Sequence, residues 1–369
     1  MSDLRYWLGF NLVHGIGPAR VRRLLEHFGD LASAWEARAE ELLTAGLDRK
    51  SVEGVQTARR TVNLDIVLQR AEKSGARVLT WESPDYPRNL RNIAAPPPVL
   101  FVKGSLTEGD EWAVAMVGTR RATAYGKEVA RELAAGLAAN GVTVVSGLAR
   151  GIDAVAHRAA IEAGGRTLAV LGCGVDTVYP PEHRELGEAI TQHGALVSDY
   201  AIGTPPEAAN FPPRNRLISG LSKGVVVVEG AEDSGALITT DYAAEQGREV
   251  FAVPGNINAR SSRGPNKLIQ QGATMVLGVN DILEELNLTL VTERKEARAA
   301  LPADATEQRV LENLTTGPLH IDDLAVQLEL PIAQLSGTLA LMELKGMVRQ
   351  IGGMTYVMAK EERAAYRVD

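Results

Sequence analysis

Cysteine is almost absent from this sequence of 369 residues. The single cysteine, Cys173, excludes an intramolecular disulfide and a zinc site built from cysteines. The six histidines are scattered and form no H-E-x-x-H helix, so we predict no metal site. Neither Ser146 nor Ser234 lies in a G-x-S-x-G turn, and no catalytic residue is predicted.

Long apolar runs are missing as well. No run approaches the ~18 residues that a membrane span needs, and the longest, within Gly224–Glu229, fits a buried strand. The first residues show no basic segment followed by an apolar stretch, so no secretory signal is predicted. We therefore expect a cytoplasmic protein with no membrane partner.

The common nucleotide-binding motifs are also lacking. No G-x-G-x-x-G follows a strand with an acidic residue about 20 positions later, and no G-x-x-x-x-G-K-[ST] occurs. These absences argue against a dinucleotide-dependent enzyme and a P-loop ATPase, and we predict no cofactor. The net charge of -7 gives no sign of a polyanionic partner for the chain as a whole.

What is present divides the chain into four parts. Residues 1–76 have the pattern of helices joined by short glycine turns, and residues 77–290 alternate short apolar runs with amphipathic stretches, as in a βαβ sheet. Residues 291–303 form a polar linker, and residues 304–369 predict a compact helical unit that ends in a hairpin. The length agrees with two or three domains.

The first part contains a helix-hairpin-helix pattern. Gly15 and Gly17 permit a sharp turn, and Pro18 suits the first position of the following helix. Such a turn can direct backbone N–H groups at a phosphate, and nearby arginines would add to its positive field. These accessory candidates are Arg20, Arg22 and Arg23. A weaker second copy lies at residues 45–52, and the alternative is that both turns serve packing alone.

The central part predicts nine strands of a doubly wound sheet, whose ligand groove lies beyond the strand carboxyl ends. The strands are Arg77–Glu82, Val99–Lys103, Ala113–Val117, Thr143–Ser146, Thr167–Leu171, Ala195–Ser198, Val225–Glu229, Val250–Val253 and Thr274–Leu277.

Arginines and an aromatic residue gather at that predicted groove. Guanidinium groups over helix amino-termini, with a ring beside them, suit the phosphates and bases of a single-stranded nucleic acid. Arg214 and Arg216 could instead be structural ion-pair partners, and Phe211 could close the sheet edge. Accessory positions are Arg121, Lys223 at the end of the helix after Phe211, and Ser234 as a helix cap.

An ordered series of motifs over residues 77–290 resembles the DNA-processing protein A (DprA/Smf) family. The motifs are Val117-Gly-Thr-Arg120, Ser146-Gly-Leu-Ala-Arg-Gly-Ile-Asp-Ala-Val-Ala-His157, Phe211-Pro-Pro-Arg-Asn-Arg216, Ser234-Gly-Ala-Leu-Ile-Thr239 and Gly247-Arg-Glu-Val-Phe-Ala-Val-Pro-Gly255. Thr119, Asp199 and Pro181 depart from the family pattern, and Pro181 stands where a basic residue is common. The resemblance implies a Rossmann-like core between a helical domain of the SAM or helix-hairpin-helix type and a winged-helix-like domain.

The resemblance also implies a function. Members of this family bind incoming single-stranded DNA in natural transformation, protect it and help load the RecA recombinase, as dimers and without known catalysis. Carried over, the DNA groove would comprise Gly118, Thr119, Arg120, Phe211, Arg214, Asn215 and Arg216, with Ser146 and Gly147 as backbone contacts. Residues 266–277 are a candidate dimer contact, with core packing as the alternative, and duplex DNA stays open as a further partner.

The last part predicts a winged helix with an unusual charge. Its helices are expected at Asp304–Thr315, His320–Leu328 and Pro331–Lys345, and its wing at Met347–Val357. Residues 302–369 carry six Lys/Arg against ten Asp/Glu, and no basic residue lies between Pro331 and Leu344. Because phosphate anchoring dominates DNA affinity, we expect a protein-contact or accessory module rather than a groove reader.

Two other functions are weighed. The first is a nucleotide-processing enzyme of the lysine-decarboxylase-like class, which has a related sheet and a P-G-G-x-G-T-x-x-E pattern. The corresponding stretch here, Val228–Thr239, lacks the paired glycines and the trailing glutamate. The second, a transcription regulator, rests on the tail alone.

Overall fold

The structure is a computed structural model that describes residues 3–288, 305–314, 317–344 and 347–358. The described chain forms two compact units, one up to residue 288 and one from residue 305. The predicted linker, residues 291–303, lies outside the described residues.

Six helices open the first unit, as the glycine-turn pattern predicted. Gly17 is the N-cap of the second helix and Pro18 occupies its first turn, while Gly46 adopts a φ of 91° between the fourth and fifth helices. The helices are α1 (Leu4–Asn11), α2 (Pro18–Phe28), α3 (Leu31–Glu36), α4 (Ala39–Thr44), α5 (Arg49–Thr61) and α6 (Leu64–Lys73).

These helices share a hydrophobic core with the sheet that follows them. Trp7, Phe10 and Leu31 are buried in one cluster with Val99 and Phe101. The predicted boundary at residue 76 therefore marks the start of the sheet, and the two parts are layers of one compact unit.

All nine predicted strands are present in one sheet, and their ends differ from the predicted ones by at most two residues. They are β1 (Arg77–Thr80), β2 (Val99–Gly104), β3 (Ala113–Val117), β4 (Thr143–Ser146), β5 (Thr167–Val170), β6 (Gly194–Ser198), β7 (Gly224–Val227), β8 (Glu249–Ala252) and β9 (Thr274–Met275). The spatial order is β1-β2-β6-β5-β4-β3-β7-β8-β9. β2 is antiparallel to both of its neighbours, β1 and β6. The seven strands from β6 to β9 in the spatial order are parallel to one another.

The order reverses between β3 and β7. Chain order runs from β3 through β6 in one direction, and then returns to continue from β7 to β9 on the other side of β3. Ligand grooves of doubly wound sheets lie at the carboxyl ends of the strands beside such a reversal.

Helices cover both faces of this sheet, which confirms the doubly wound architecture. One face packs on α9 and α10 together with the first six helices, and the other packs on α7, α11 and α12. The helices are α7 (Arg88–Arg91), α8 (Ala124–Ala139), α9 (Ile152–Glu162), α10 (Arg184–His193), α11 (Phe211–Gly220), α12 (Leu237–Glu245), α13 (Arg263–Gln270) and α14 (Val279–Glu285).

The second unit confirms the predicted winged helix. Helices α15 (Ala305–Leu314), α16 (Ile321–Leu328) and α17 (Ile332–Leu344) pack with strands β10 (Leu319–His320), β11 (Val348–Gly352) and β12 (Thr355–Met358), in the sheet order β10-β12-β11. Its core contains the five residues that the apolar pattern predicted, namely Leu324, Leu328, Leu335, Leu339 and Met342.

No single helix among the described residues is both long and apolar enough to cross a membrane. A pair bent by 111°, Ile321–Leu328 with Ile332–Glu343, meets that length and composition test jointly. Both helices of the pair supply core residues of the winged helix.

Candidate nucleic-acid interface

The loop after β3 is held by backbone contacts from the segment that follows β7 and from the first residue of α9. The N–H of Thr119 donates to the carbonyl of Glu229 at 2.7 Å, and the N–H of Ile152 donates to the carbonyl of Thr119 at 3.3 Å. Gly151 has a φ of 76°, and a Cβ there would lie 2.2 Å from the carbonyl oxygen of Thr119. The loop that presents Gly118, Thr119 and Arg120 is therefore fixed in place.

Arg120 projects from this fixed loop to the surface. Its side chain is exposed, and no carboxylate among the described residues forms an ion pair with it. Its guanidinium carbon lies 5.8 Å from the centre of the Phe211 ring, which is within cation–π range. Arg121 is exposed beside it, and its backbone N–H donates to the hydroxyl of Thr119. Both side chains can therefore reach a ligand in the groove.

Two aromatic rings form one surface next to Arg120. Phe211 is the first residue of α11, and Tyr179 lies in the loop that follows β5. Their ring centres are 5.7 Å apart with an interplanar angle of 34°, and Tyr179 is 37% exposed. No role for Tyr179 is predicted from the sequence. The feature that could have identified Tyr179 is its position in the loop after β5, a strand whose carboxyl end borders the groove.

Arg214 is buried beneath this surface rather than exposed on it. Only 5% of the residue is exposed, and its guanidinium donates to the carbonyls of Gly147, at 3.1 Å, and Val170. The carboxylate of Asp153 interacts with it electrostatically, and burial raises the pKa of Asp153 while burial lowers the pKa of Arg214. The direct phosphate contact predicted for Arg214 is therefore corrected to a structural role, which the alternative interpretation had allowed.

Ser146 and Gly147 also differ from the prediction. Both are buried, and the hydroxyl of Ser146 donates to the carbonyl of Met116 at 2.7 Å. The N–H of Gly147 donates to the carboxylate of Asp153 at 3.1 Å. Because these polar groups already have internal partners, the geometry favours a role in shaping the loop after β4 over the predicted backbone contacts with DNA.

Arg216 and Asn215 are likewise engaged within the protein. Arg216 is largely buried and forms an ion pair with Asp199, and it also donates to the carbonyl of Ala95 at 3.1 Å. The amide of Asn215 donates to the carbonyl of Gly235 at 3.4 Å. The ion-pair alternative therefore describes Arg216 better than the predicted phosphate contact does.

Two accessory predictions are wrong in position. Lys223 directly precedes β7, and its N–H donates to the carbonyl of Ala113 at the start of β3, so it lies at the amino end of the sheet, opposite the groove. Ser234 does not cap a helix, because α12 begins at Leu237 with Ala236 as its N-cap. The Ser234 hydroxyl accepts the N–H of Ala236 at 3.3 Å.

The arginines of α2 bind other parts of the protein. Arg20 pairs with Asp48 and also donates to the carbonyl of Gly15. Arg23 donates to the carbonyl of Gly46 at 3.3 Å, and Arg22 lies 5.8 Å from the Trp81 ring centre. These contacts join the two predicted helical turns to each other and to the sheet. They favour the packing alternative for Arg20 and Arg23.

Comparison with known proteins agrees with this architecture. The family model for DNA recombination-mediator protein A matches residues 77–287. The chain belongs to this family. A second model, for the DprA winged helix domain, matches residues 294–354.

Relatives in this family align over most of the chain. Protein Smf of Synechocystis is 36% identical over 392 residues, which cover 96% of this chain and 98% of the relative. The X-ray structure of DNA processing protein A from Streptococcus pneumoniae is 33% identical with a TM-score of 0.69, over 77% of this chain and 99% of that one. The Helicobacter pylori protein, whose structure describes a single-stranded DNA binding mode, is 30% identical with a TM-score of 0.52, over 58% and 97%.

The structure shows where two of the positions that depart from the family pattern lie. Pro181 begins a short 3-10 helix, Pro181–His183, two residues after Tyr179. Asp199 is the ion-pair partner of Arg216. Pro181, two residues after Tyr179, has no side-chain group that could donate a hydrogen bond to a phosphate.

Proposed function

We propose that the groove beside the Tyr179–Phe211 surface binds single-stranded DNA. The observation that carries this proposal is the placement of Arg120, an exposed arginine without a carboxylate partner among the described residues, at the edge of two adjoining aromatic rings. A guanidinium can bind a backbone phosphate while a ring stacks a base, and each stacked base contributes ~1–3 kcal/mol. This combination suits a strand whose bases are unpaired.

The family gives this proposal its biological setting. The Helicobacter pylori relative is described by its single-stranded DNA binding mode, and we extend that ligand to this chain. We further propose that the protein protects incoming DNA during natural transformation, helps to load the RecA recombinase, and acts by binding rather than by catalysis. These finer roles rest on family membership and on the groove.

We also propose that the protein forms a homodimer through the far edge of the sheet. β9 is the edge strand, and Leu277, just beyond it, is 76% exposed. An apolar edge of this kind suits an isologous contact. Sedimentation at micromolar concentration should give a dimer, and Leu277→Asp should give a monomer. Ile257→Asp, at another exposed apolar residue, is the matched control.

For the winged helix we propose a role in protein contact. Helix α17 exposes Ala333, Gln334, Gly337, Ala340 and Leu341, a face without a cationic side chain. Since affinity for DNA depends on phosphate neutralisation, this helix lacks what a major-groove reader needs.

One binding experiment tests the main proposal. Fluorescence anisotropy should show that the full chain binds a 20-nucleotide single strand at least tenfold more tightly than a duplex of the same length. Incubation with mononucleotides should release no base or phosphate. Equal affinity for both DNA forms would contradict the groove as a single-strand site, and turnover of a nucleotide would favour the enzyme alternative.

A further inference from the structure

A cavity of about 420 Å³ lies on the other side of the Thr119 loop from the aromatic surface. Its lining comes from the carboxyl ends of β3, β7 and β8, so it lies at the reversal of strand order. The lining residues are Thr123, Tyr125, Glu229, Gly255, Asn256, Ala259, Ser261 and Ser262. Open sheets of this type bind their ligands at such a position.

Glu229 gives the cavity its chemical character. The residue is 2% exposed, and its carboxylate accepts the N–H of Thr123 at 2.9 Å, the hydroxyl of Thr123 at 2.7 Å and the hydroxyl of Ser261 at 3.3 Å. All three donors are neutral. An ionised carboxylate has about four acceptor positions, so one position, on Oε2, is left for a further donor.

The backbone is adapted to this carboxylate. A Cβ at Gly126, in the first turn of α8, would lie 2.2 Å from Oε2 of Glu229. Only glycine leaves room for the buried acid there. Burial of a carboxylate is costly when the donors that contact it are neutral, and a ligand that donates an N–H or O–H group would reduce that cost.

The remaining lining residues restrict the class of ligand. Among the described residues, none that lines the cavity is a lysine or an arginine, so an anionic group is not stabilised inside it. The exposed lining is mostly apolar, and the hydroxyl and carboxamide groups of Ser261, Ser262 and Asn256 add a few polar positions, so the cavity suits a neutral ligand with one large apolar face. Tyr125 is 50% exposed, and its hydroxyl donates to the carbonyl of Pro254 at 2.9 Å, which orients a ring against which a planar group can stack.

We propose that this cavity binds one nucleotide, with its nucleoside inside and its phosphate outside. A sugar hydroxyl or a base N–H would donate to Glu229, and the base would stack on Tyr125. The phosphate would remain near Arg120 and Arg121, which are exposed and precede Thr123 in the same loop. The nucleotide is either a free mononucleotide or one unit of a bound strand, and the two sources share this chemistry.

Calorimetric titration of the full chain with deoxyadenosine 5′-monophosphate tests the site. Ala259→Phe, which fills the cavity, should weaken binding of this nucleotide at least tenfold. Asn258→Phe, a change of similar size at a neighbouring residue outside the lining, should alter it less than twofold. If Ala259→Phe does not fold, Tyr125→Leu replaces it and should weaken binding at least fivefold, with Tyr125→Phe as its control.

A second arm uses a 20-nucleotide deoxyadenosine strand. If the cavity takes a unit of the strand, Ala259→Phe weakens strand binding at least threefold, and if it takes a free nucleotide, strand binding is unchanged. The inference is overturned if the wild-type chain binds no mononucleotide and Ala259→Phe leaves strand binding unchanged, or if Asn258→Phe acts as strongly as Ala259→Phe. Failure of the groove would appear separately, as unchanged strand binding in Tyr179→Ala, because Tyr179 belongs to the aromatic surface and does not line the cavity.

Discussion

The guanidinium of Arg120 lies 5.8 Å from the centre of the Phe211 ring, and that of Arg214 lies 5.7 Å from the same centre. The two arginines nevertheless differ in environment, because Arg120 is exposed and Arg214 is bonded to buried carbonyls. The Phe211 ring therefore contacts one arginine at the surface of the groove and one in the interior beneath it. Substitution of Arg120 should change DNA affinity, whereas substitution of Arg214 should change the stability of the fold.

Substitution of the exposed arginine should affect DNA binding alone. Arg120→Ala should raise the Kd for a single strand about tenfold, because a charged hydrogen bond to phosphate contributes roughly 1.5–3 kcal/mol. The slope of log affinity against log salt should flatten by about 0.7 for the lost contact. Arg184→Ala, at an exposed arginine of α10, is the control and should change neither quantity. An unchanged slope in folded Arg120→Ala would remove Arg120 from the interface.

Loss of the Tyr179 ring should weaken base stacking. Tyr179→Ala is expected to reduce affinity about tenfold, within the ~1–3 kcal/mol of one stacked base, and to leave the salt slope unchanged because no phosphate contact is lost. Tyr179→Phe keeps the ring and should bind as the wild type does. Anisotropy titrations at several salt concentrations give both quantities, and a weaker Tyr179→Phe would point to the hydroxyl instead.

The buried arginine should matter for stability. Arg214→Met removes the donors to the carbonyls of Gly147 and Val170 and leaves the Asp153 carboxylate without its cation. The free energy of unfolding should fall by about 3–5 kcal/mol. Urea denaturation measures this loss, and Arg120→Ala should change the same quantity by less than ~0.5 kcal/mol. If Arg214→Met were as stable as the wild type but bound DNA more weakly, the result would support the direct phosphate contact predicted from the sequence.

Acid should destabilise the fold through His157. This side chain is fully buried against the hydroxyl of Thr167, and burial lowers its pKa to about 3. Because the pKa is lower in the folded protein, the neutral side chain contributes its full stabilisation above pH 6.5, the pKa of histidine in the unfolded chain. This stabilisation is lost as the pH falls towards 3. The free energy of unfolding should therefore decrease by about 1.4 kcal/mol per pH unit from this group below pH 6. His157→Leu should remove the contribution of one proton, about 1.4 kcal/mol per pH unit, from the slope of the free energy of unfolding against pH. An identical slope in both proteins would contradict the assignment.

Removal of the winged helix should leave single-strand binding nearly intact. A chain that ends at Leu301 should bind a single strand within about threefold of the full chain, because the acidic tail is repelled by phosphate. Residues 302–369 alone should bind neither single-stranded nor duplex DNA at ~0.15 M salt. If this segment shifts duplex DNA under those conditions, the charge argument is wrong and the winged helix reads the groove.

Apolar runs located the strands well. Val225–Val227 and Ala113–Val117 are continuous apolar segments, and both lie in parallel strands that are buried on two faces. The leucines of the winged helix were placed in its core for the same reason, since helical spacing fixes which side chains share a face. Local periodicity was sufficient for these elements.

The roles of individual polar residues were not accessible in this way. Arg214 looks like a phosphate ligand because its helix opens at the groove, yet it is buried and interacts electrostatically with Asp153, which lies on a different helix. The ion pair of Arg216 depends on Asp199 beyond β6. The hydrogen-bond partners of a polar side chain are set by the strand order, which the local sequence pattern does not contain.

The pairing of β3 with β7 has a consequence for synthesis on the ribosome. β3 pairs on one side with β4, which soon follows it, but its other edge is completed only by residues 224–227. Until those residues leave the exit tunnel, the nascent chain carries a wholly apolar strand with one open edge, the type of edge that promotes association between chains. Translation that stops between residues 146 and 224 should therefore produce an insoluble fragment rather than a smaller working domain.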